Sequence, residues 1–255
     1  MITKIFYRVI SFCLVILFTF VLPYTASADS TLSDNFDDNR LDPSKWFSFE
    51  AGGPTITEVN ERLEIHIPED STNPPDMTGF IGEYVSACVL TGDYDVQVNY
   101  QLQLQDDGYL KWPARNGVRM GIATYSPSTK KFPDQLAEIQ RTSWGPNDPT
   151  TPEVYLSNPN RVVIGTNDTS GKLRLARTEG ETISYYFDLT EGWKNLSSST
   201  QTRDVYLYLY AFSTDGGPFG DLFGDQEVRV AFDKLIVEGK RTCKGRFTPA
   251  NPPLF

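Results

Sequence analysis

Histidine is nearly missing from this chain: His66 is the single imidazole in 255 residues. A Ser-His-Asp triad could be built only around it, and no G-x-S-x-G turn is present to offer the serine. Neither an H-E-x-x-H zinc motif nor a phosphate loop ending in Lys-Ser/Thr occurs. Cysteine is scarce too. Of three, Cys13 lies in an N-terminal apolar run, which leaves Cys88 and Cys243. In an exported chain such a pair reads as a disulfide, because a metal site would want further Cys or His nearby. Its span of 243 − 88 = 155 residues corresponds to about 4–5 kcal/mol in the chain-entropy picture. Positive charge is short as well, 23 Lys and Arg against 33 Asp and Glu, for a net −10. That balance argues against nucleic acid, anionic lipid and polyanionic glycans as partners, and leaves neutral ligands.

Long apolar runs are confined to the start. "MITKIFYR" carries Lys4 and Arg8, "VISFCLVILFTFVLP" follows, and Ala26-Ser27-Ala28 is the small-x-small pattern of a signal peptidase site. The run is short for the roughly 20 residues of a spanning helix. The expectation is therefore a signal peptide over 1–28, a single domain over 29–243 and a loose, proline-rich tail over 244–255. Cleavage would leave 255 − 28 = 227 residues, and loss of Lys4 and Arg8 would move the net charge from −10 to −12. Secretion, extracellular or periplasmic, follows from the leader, with no membrane insertion after cleavage.

Helical periodicity is lacking, and short alternating runs between Gly, Pro, Asn and Asp clusters take its place. They are "RLEIHIP", "YVSACVL", "DYDVQVNYQLQL", "NGVRMGIATY", "LAEIQRTSW", "RVVIGT", "KLRLART", "ISYYFDL", "DVYLYLYAF" and "VRVAFDKLIVEG". With no crossover helices between them, these runs predict antiparallel sheets. A chain of this size closes its core as a two-sheet all-β sandwich.

Two runs have unusual second faces. In "DVQVNYQLQL" the apolar Val96, Val98, Tyr100, Leu102 and Leu104 alternate with Gln97, Asn99, Gln101 and Gln103. In "DVYLYLYAF" the aliphatic Val205, Leu207, Leu209 and Ala211 alternate with Tyr206, Tyr208, Tyr210 and Phe212. Carboxamides supply donor and acceptor together, and phenol rings offer flat apolar faces, so a shared trough of the two would suit a neutral glycan. Asn99, Gln101, Gln103, Tyr206, Tyr208 and Tyr210 are the candidates, with Arg119 on the same polar face and Trp112 and Trp144 from Pro/Gly-rich loops. The alternative is a solvated amide face and a tyrosine row within the core. Arg174 and Arg177 suit surface acids as partners as well as they suit the trough.

"DNFDDNRLDPSKWF", residues 34–47, resembles the opening of concanavalin A-like lectin/glucanase domains. "GKLRLARTEGETISYYFD", "DVYLYLYAF" and "VRVAFDKLIVEG" are similar to the closing strands of that superfamily's jelly roll. The resemblance spans about Asp34 to Gly239 and implies the fold, while lectins, hydrolases, lyases and adhesive modules all share it. Laminarinase-like hydrolases place E-x-D-x-x-E or E-x-D-x-E on one strand. Here Glu138 matches the nucleophile, but Gln140 stands for the Asp, and Thr142 or Ser143 for the acid. A retaining hydrolase with one carboxylate lacks its proton donor. The jelly-roll lyase strand Q-(I/V)-H has only a loose echo in Glu64-Ile65-His66. The resemblance also implies core positions for Trp46 and Trp193, and it suggests a structural calcium, with Asp34 and Asp233 as candidates. The acidic loop holding Asp215, Asp221, Asp225 and Glu227 matches no closed ligand rule. The expectation is a non-catalytic, lectin-like domain for a neutral glycan. A hydrolase or lyase carried by Glu138, and an adhesive module without a sugar site, are the alternatives.

Overall fold

The structure is a computed structural model that describes residues 32–69, 71, 79–104, 117–127, 134–143, 153–214 and 227–243. The chain divides into residues 1–31 and 32–255. The expected leader over 1–28 and the tail over 244–255 lie outside the described residues.

Among the described residues every regular element is a strand: β1 (Trp46–Ala51), β2 (Thr55–Val59), β3 (Arg62–Ile67), β4 (Phe80–Ser86), β5 (Val89–Leu104), β6 (Gly117–Tyr125), β7 (Gln135–Ser143), β8 (Val154–Asn158), β9 (Val162–Gly165), β10 (Ser170–Thr178), β11 (Glu181–Asp188), β12 (Gly192–Thr200), β13 (Tyr206–Thr214) and β14 (Val228–Thr242). They form two seven-stranded sheets, β1-β4-β13-β6-β7-β8-β9 and β12-β11-β10-β5-β14-β3-β2. Each pairing is antiparallel, so the expected sandwich is what the chain builds. Nine of the ten alternating runs fall on one strand each, whereas "YVSACVL" is not a strand of its own but turns the corner from β4 into β5 at Ala87 and Cys88. β1, β2, β8 and β12 were not among them, for β1, β2 and β8 are five or six residues long and β12 is a Ser-rich edge strand without alternation.

The core lies between the sheets and follows the period-two rule. Val96, Val98, Tyr100 and Leu102 of β5 pack with Leu173 and Leu175 of β10 and Val228, Val230 and Phe232 of β14. Facing them are Leu207, Leu209 and Ala211 of β13, Val118, Met120 and Ile122 of β6, and Phe80 and Tyr84 of β4. Trp46 stacks on Tyr84 at 5.0 Å, in the core as expected. Polar ties also cross the gap: the Tyr100 and Tyr155 hydroxyls are 2.6 Å apart, and Ser157 Oγ lies 2.6 Å from Ser184 Oγ. At Gly82 a Cβ would sit 2.5 Å from Ile65 Cγ2, so only glycine lets β4 come that close to β3.

The expected Cys88–Cys243 disulfide is present. It closes the end of the β5–β14 ladder, one residue beyond the pair Val89↔Thr242. Replacing both cysteines by serine should lower unfolding free energy by about 4 kcal/mol, given the 155-residue separation. Urea unfolding of the mature domain, with and without the pair, checks this.

Candidate functional site

The amide row and the tyrosine row lie on different sheets and do not share a trough. Asn99, Gln101 and Gln103 stand on the outer face of the second sheet, where β5 is central. Tyr206, Tyr208 and Tyr210 stand on the outer face of the first, with Arg119 beside Phe212. Trp112 and Trp144 lie outside the described residues.

Asn99 and Gln101 line a cavity of about 680 Å³. Asn35 and Asp37 of the N-terminal segment, Asn60 and Glu61 of the β2–β3 turn, and Asp233 of β14 help to wall it. Three local features hold the wall. Asn60 and Glu61 take positive φ of 54° and 59°, the twist a two-residue hairpin turn needs. Asp34 pairs with Leu235 through reciprocal backbone hydrogen bonds of 2.9 and 2.8 Å. The β14 register then slips between Asp233 and Ile236, which offsets that strand beside Asn99. Arg62 Nη1 donates to Gln101 Oε1 at 3.0 Å, which leaves the Gln101 amide nitrogen without a partner among the described residues. Two cations, Arg62 and Lys234, stand near three acids, Asp37, Glu61 and Asp233.

The other outer face is largely buried. Tyr208, Tyr210 and Phe212 are 2%, 4% and 8% exposed and pack with Ile81, Val85, Ala123 and Tyr125 as a second apolar cluster. Only Tyr206 of the row keeps half-exposed surface. Two carboxyls lie within this face, Glu138 of β7 and Glu83 of β4. The Tyr210 phenol crosses β6 to reach β7, over the small residues Gly121 and Ala123. Glycine is required there, since a Cβ would lie 2.2 Å from the Ile139 carbonyl oxygen. The phenol meets Glu138 and also lies 3.0 Å from Gln140 Oε1, while Asn158 Nδ2 donates to Glu138.

Burial pushes the Glu138 carboxyl above its ordinary range, against hydrogen bonds from Tyr210, Asn158 and Gln135 and the charge of Arg119. Glu83 is fully buried, and neither oxygen has a hydrogen-bond partner among the described residues. Burial alone holds it far above the usual carboxyl range. It had no sequence signal beyond one acid between Ile81 and Val85, just ahead of the run read as a strand. Burial thus disfavours the charged form of both carboxyls on this face. Their strands are three spacings apart, about 14 Å.

His66 is a half-exposed strand residue 3.1 Å from Glu227, and Glu64 is tied between Arg62 and Arg229. Asp34 accepts a hydrogen bond from the Phe36 backbone N–H, and Asp233 lies 3.9 Å from Lys234 Nζ. Among the described residues, no group of three or more His, Cys, Asp or Glu is placed to hold a metal. Asp215, Asp221 and Asp225 lie outside them.

No protein-family model matches this sequence, and no curated protein does. Solved structures match over the fold. An alginate lyase from Zobellia galactanivorans is 12% identical with a TM-score of 0.54, over 78% of this chain and 97% of that one. A β-glucanase from Bacillus licheniformis is 13% identical, TM-score 0.51, over 82% and 97%. A laminarinase from Flavobacterium sp. is 10% identical, TM-score 0.50, over 79% and 98%. The architecture is the concanavalin A-like jelly roll.

A carboxyl raised by folding stabilises the native state at low pH, and that contribution is lost as pH rises from the unfolded value of about 4.3 toward the folded one. Glu83→Gln removes the titration without changing shape. The variant should therefore gain on the wild type by up to about 1.4 kcal/mol per pH unit above that point. Denaturant titrations across pH 4–9 measure the difference, and parallel curves would remove Glu83 from the account.

Proposed function

We propose that this protein is a secreted, non-catalytic carbohydrate-binding domain that takes a neutral glycan on the outer face of the second sheet. The observation that carries the reading is the opening of Asn99 and Gln101 onto a polar cavity. Carboxamides give and accept hydrogen bonds at once, as an array of sugar hydroxyls requires. The lining has no surplus of positive charge for a polyanion to neutralise. The leader pattern and the disulfide support export.

The buried face of the first sheet supports binding less well, and catalysis less again. Hydrolysis with retention needs an ionised carboxylate and a proton donor near one another. Glu138 and Glu83 are both raised, and Gln140 and Thr142 take the alternate positions on the Glu138 strand.

The mature domain should bind neutral polysaccharides on a glycan array. Gln101→Ala should weaken that binding about two- to tenfold, the loss of roughly one hydrogen bond, while Tyr208→Ala leaves it unchanged. No binding across a broad array sinks the reading. Release of reducing ends, abolished in Glu138→Gln, would overturn its non-catalytic part.

A further inference from the structure

The outer face of the second sheet carries another group of side chains, at its β12 edge. In β11, Ser184 reaches inward to Ser157 and Tyr186 stacks on Tyr155, so Tyr185 and Phe187 point outward. Trp193 is the cross-strand partner of Phe187, and the rings meet edge to face at 5.3 Å. Trp193 is therefore not a core residue, contrary to the sequence-based expectation, because β12 is an edge strand and the ring lies on its outer side. All three rings are half-buried and keep exposed surface.

Cations and amides adjoin them. The Arg174 guanidinium is 5.0 Å from the Tyr185 ring centre and 5.8 Å from that of Trp193, and the Lys172 ammonium is 4.8 Å from that of Phe187. Asp95 neutralises Arg174 by accepting from Nε with both oxygens, at 2.9 and 3.0 Å. Lys172 is exposed and has no carboxylate partner among the described residues, so it remains a donor. Arg174 is paired across strands with Gln97, and Lys172 with Asn99, the residue that opens on the cavity.

Fastening of the edge strands would explain the cation–ring contacts. It does not account for ring surface left open beside a row of amides. A sugar ring has a face of C–H groups, which suits the negative face of an aromatic ring. Its rim of hydroxyls needs donors and acceptors alongside. Trp193 and Asn99 stand three strand spacings apart, about 14 Å, more than one sugar ring spans.

We infer that Tyr185, Phe187 and Trp193 form a stacking subsite that extends the amide cavity across the sheet, so that the site takes a neutral oligosaccharide chain rather than a single sugar. The inference rests on the neutral-glycan reading above.

The test uses the disulfide-bonded mature domain with hydroxyethyl cellulose, laminarin, xylan and galactomannan, then a hexasaccharide and a disaccharide of whichever binds. Wild type should bind the hexasaccharide much more tightly than the disaccharide. Trp193→Ala should remove most of that advantage, about tenfold, and Trp193→Phe should restore part of it. Tryptophan emission of the wild type should shift on hexasaccharide binding, a readout that holds even if a variant folds poorly. An unchanged advantage in Trp193→Ala, or an unshifted emission, overturns the stacking subsite. If Gln101→Ala still weakens binding in that case, the amide site survives alone. Failure of the wild type to bind any of the four polysaccharides overturns both.

Discussion

The outer face of the second sheet depends on how its central strand, β5, is held. It pairs with β14 along nearly its whole length and with β10 on the other side, and the disulfide closes the end of the β14 ladder. With that register set, a shift of one residue would turn Val96, Val98, Tyr100 and Leu102 out to water and bring the carboxamides into the core. The fully buried valines make such a slip costly, at about 25 cal/mol for each Å² of apolar surface exposed. The amides therefore stand outward because their neighbours must stand inward.

The two sheets then differ in what they do with their outer faces. On the first, aromatic residues close over the strands and bury Glu83 and Glu138, and that burial raises both carboxyls. On the second, ion pairs and amides stay wet, and a cavity opens where the N-terminal segment docks on β14. A curved sandwich could place chemistry on either face. Here the reachable amides lie on one outer face, and Glu83 and Glu138 lie on the other.

Alternation was readable on the longer strands: polar against apolar on the half-buried β5 and β10, and aromatic against aliphatic on β13, which is buried on both faces. It also showed that Tyr208 and Tyr210 share a face. It could not show that this face is covered, since burial of an outer face depends on strands and loops far away in sequence. Nor could alternation say that β5 and β13 belong to different sheets. Pairing partners are set by long-range register, and Tyr210 finds Glu138 only because β6 presents Gly121 and Ala123 between them. Trp193 was misplaced for a related reason: β12 is a Ser-rich edge strand, and its outward side shows only beside Phe187 and Arg174.

The central claim is that ligand meets the second sheet and not the first. Hydrogen–deuterium exchange of the mature domain, with and without a bound neutral polysaccharide, reads this directly. The account predicts added protection over residues 97–103, 170–174 and 185–195, with 135–143 and 206–214 unchanged. Protection confined to 135–143 and 206–214 would contradict it.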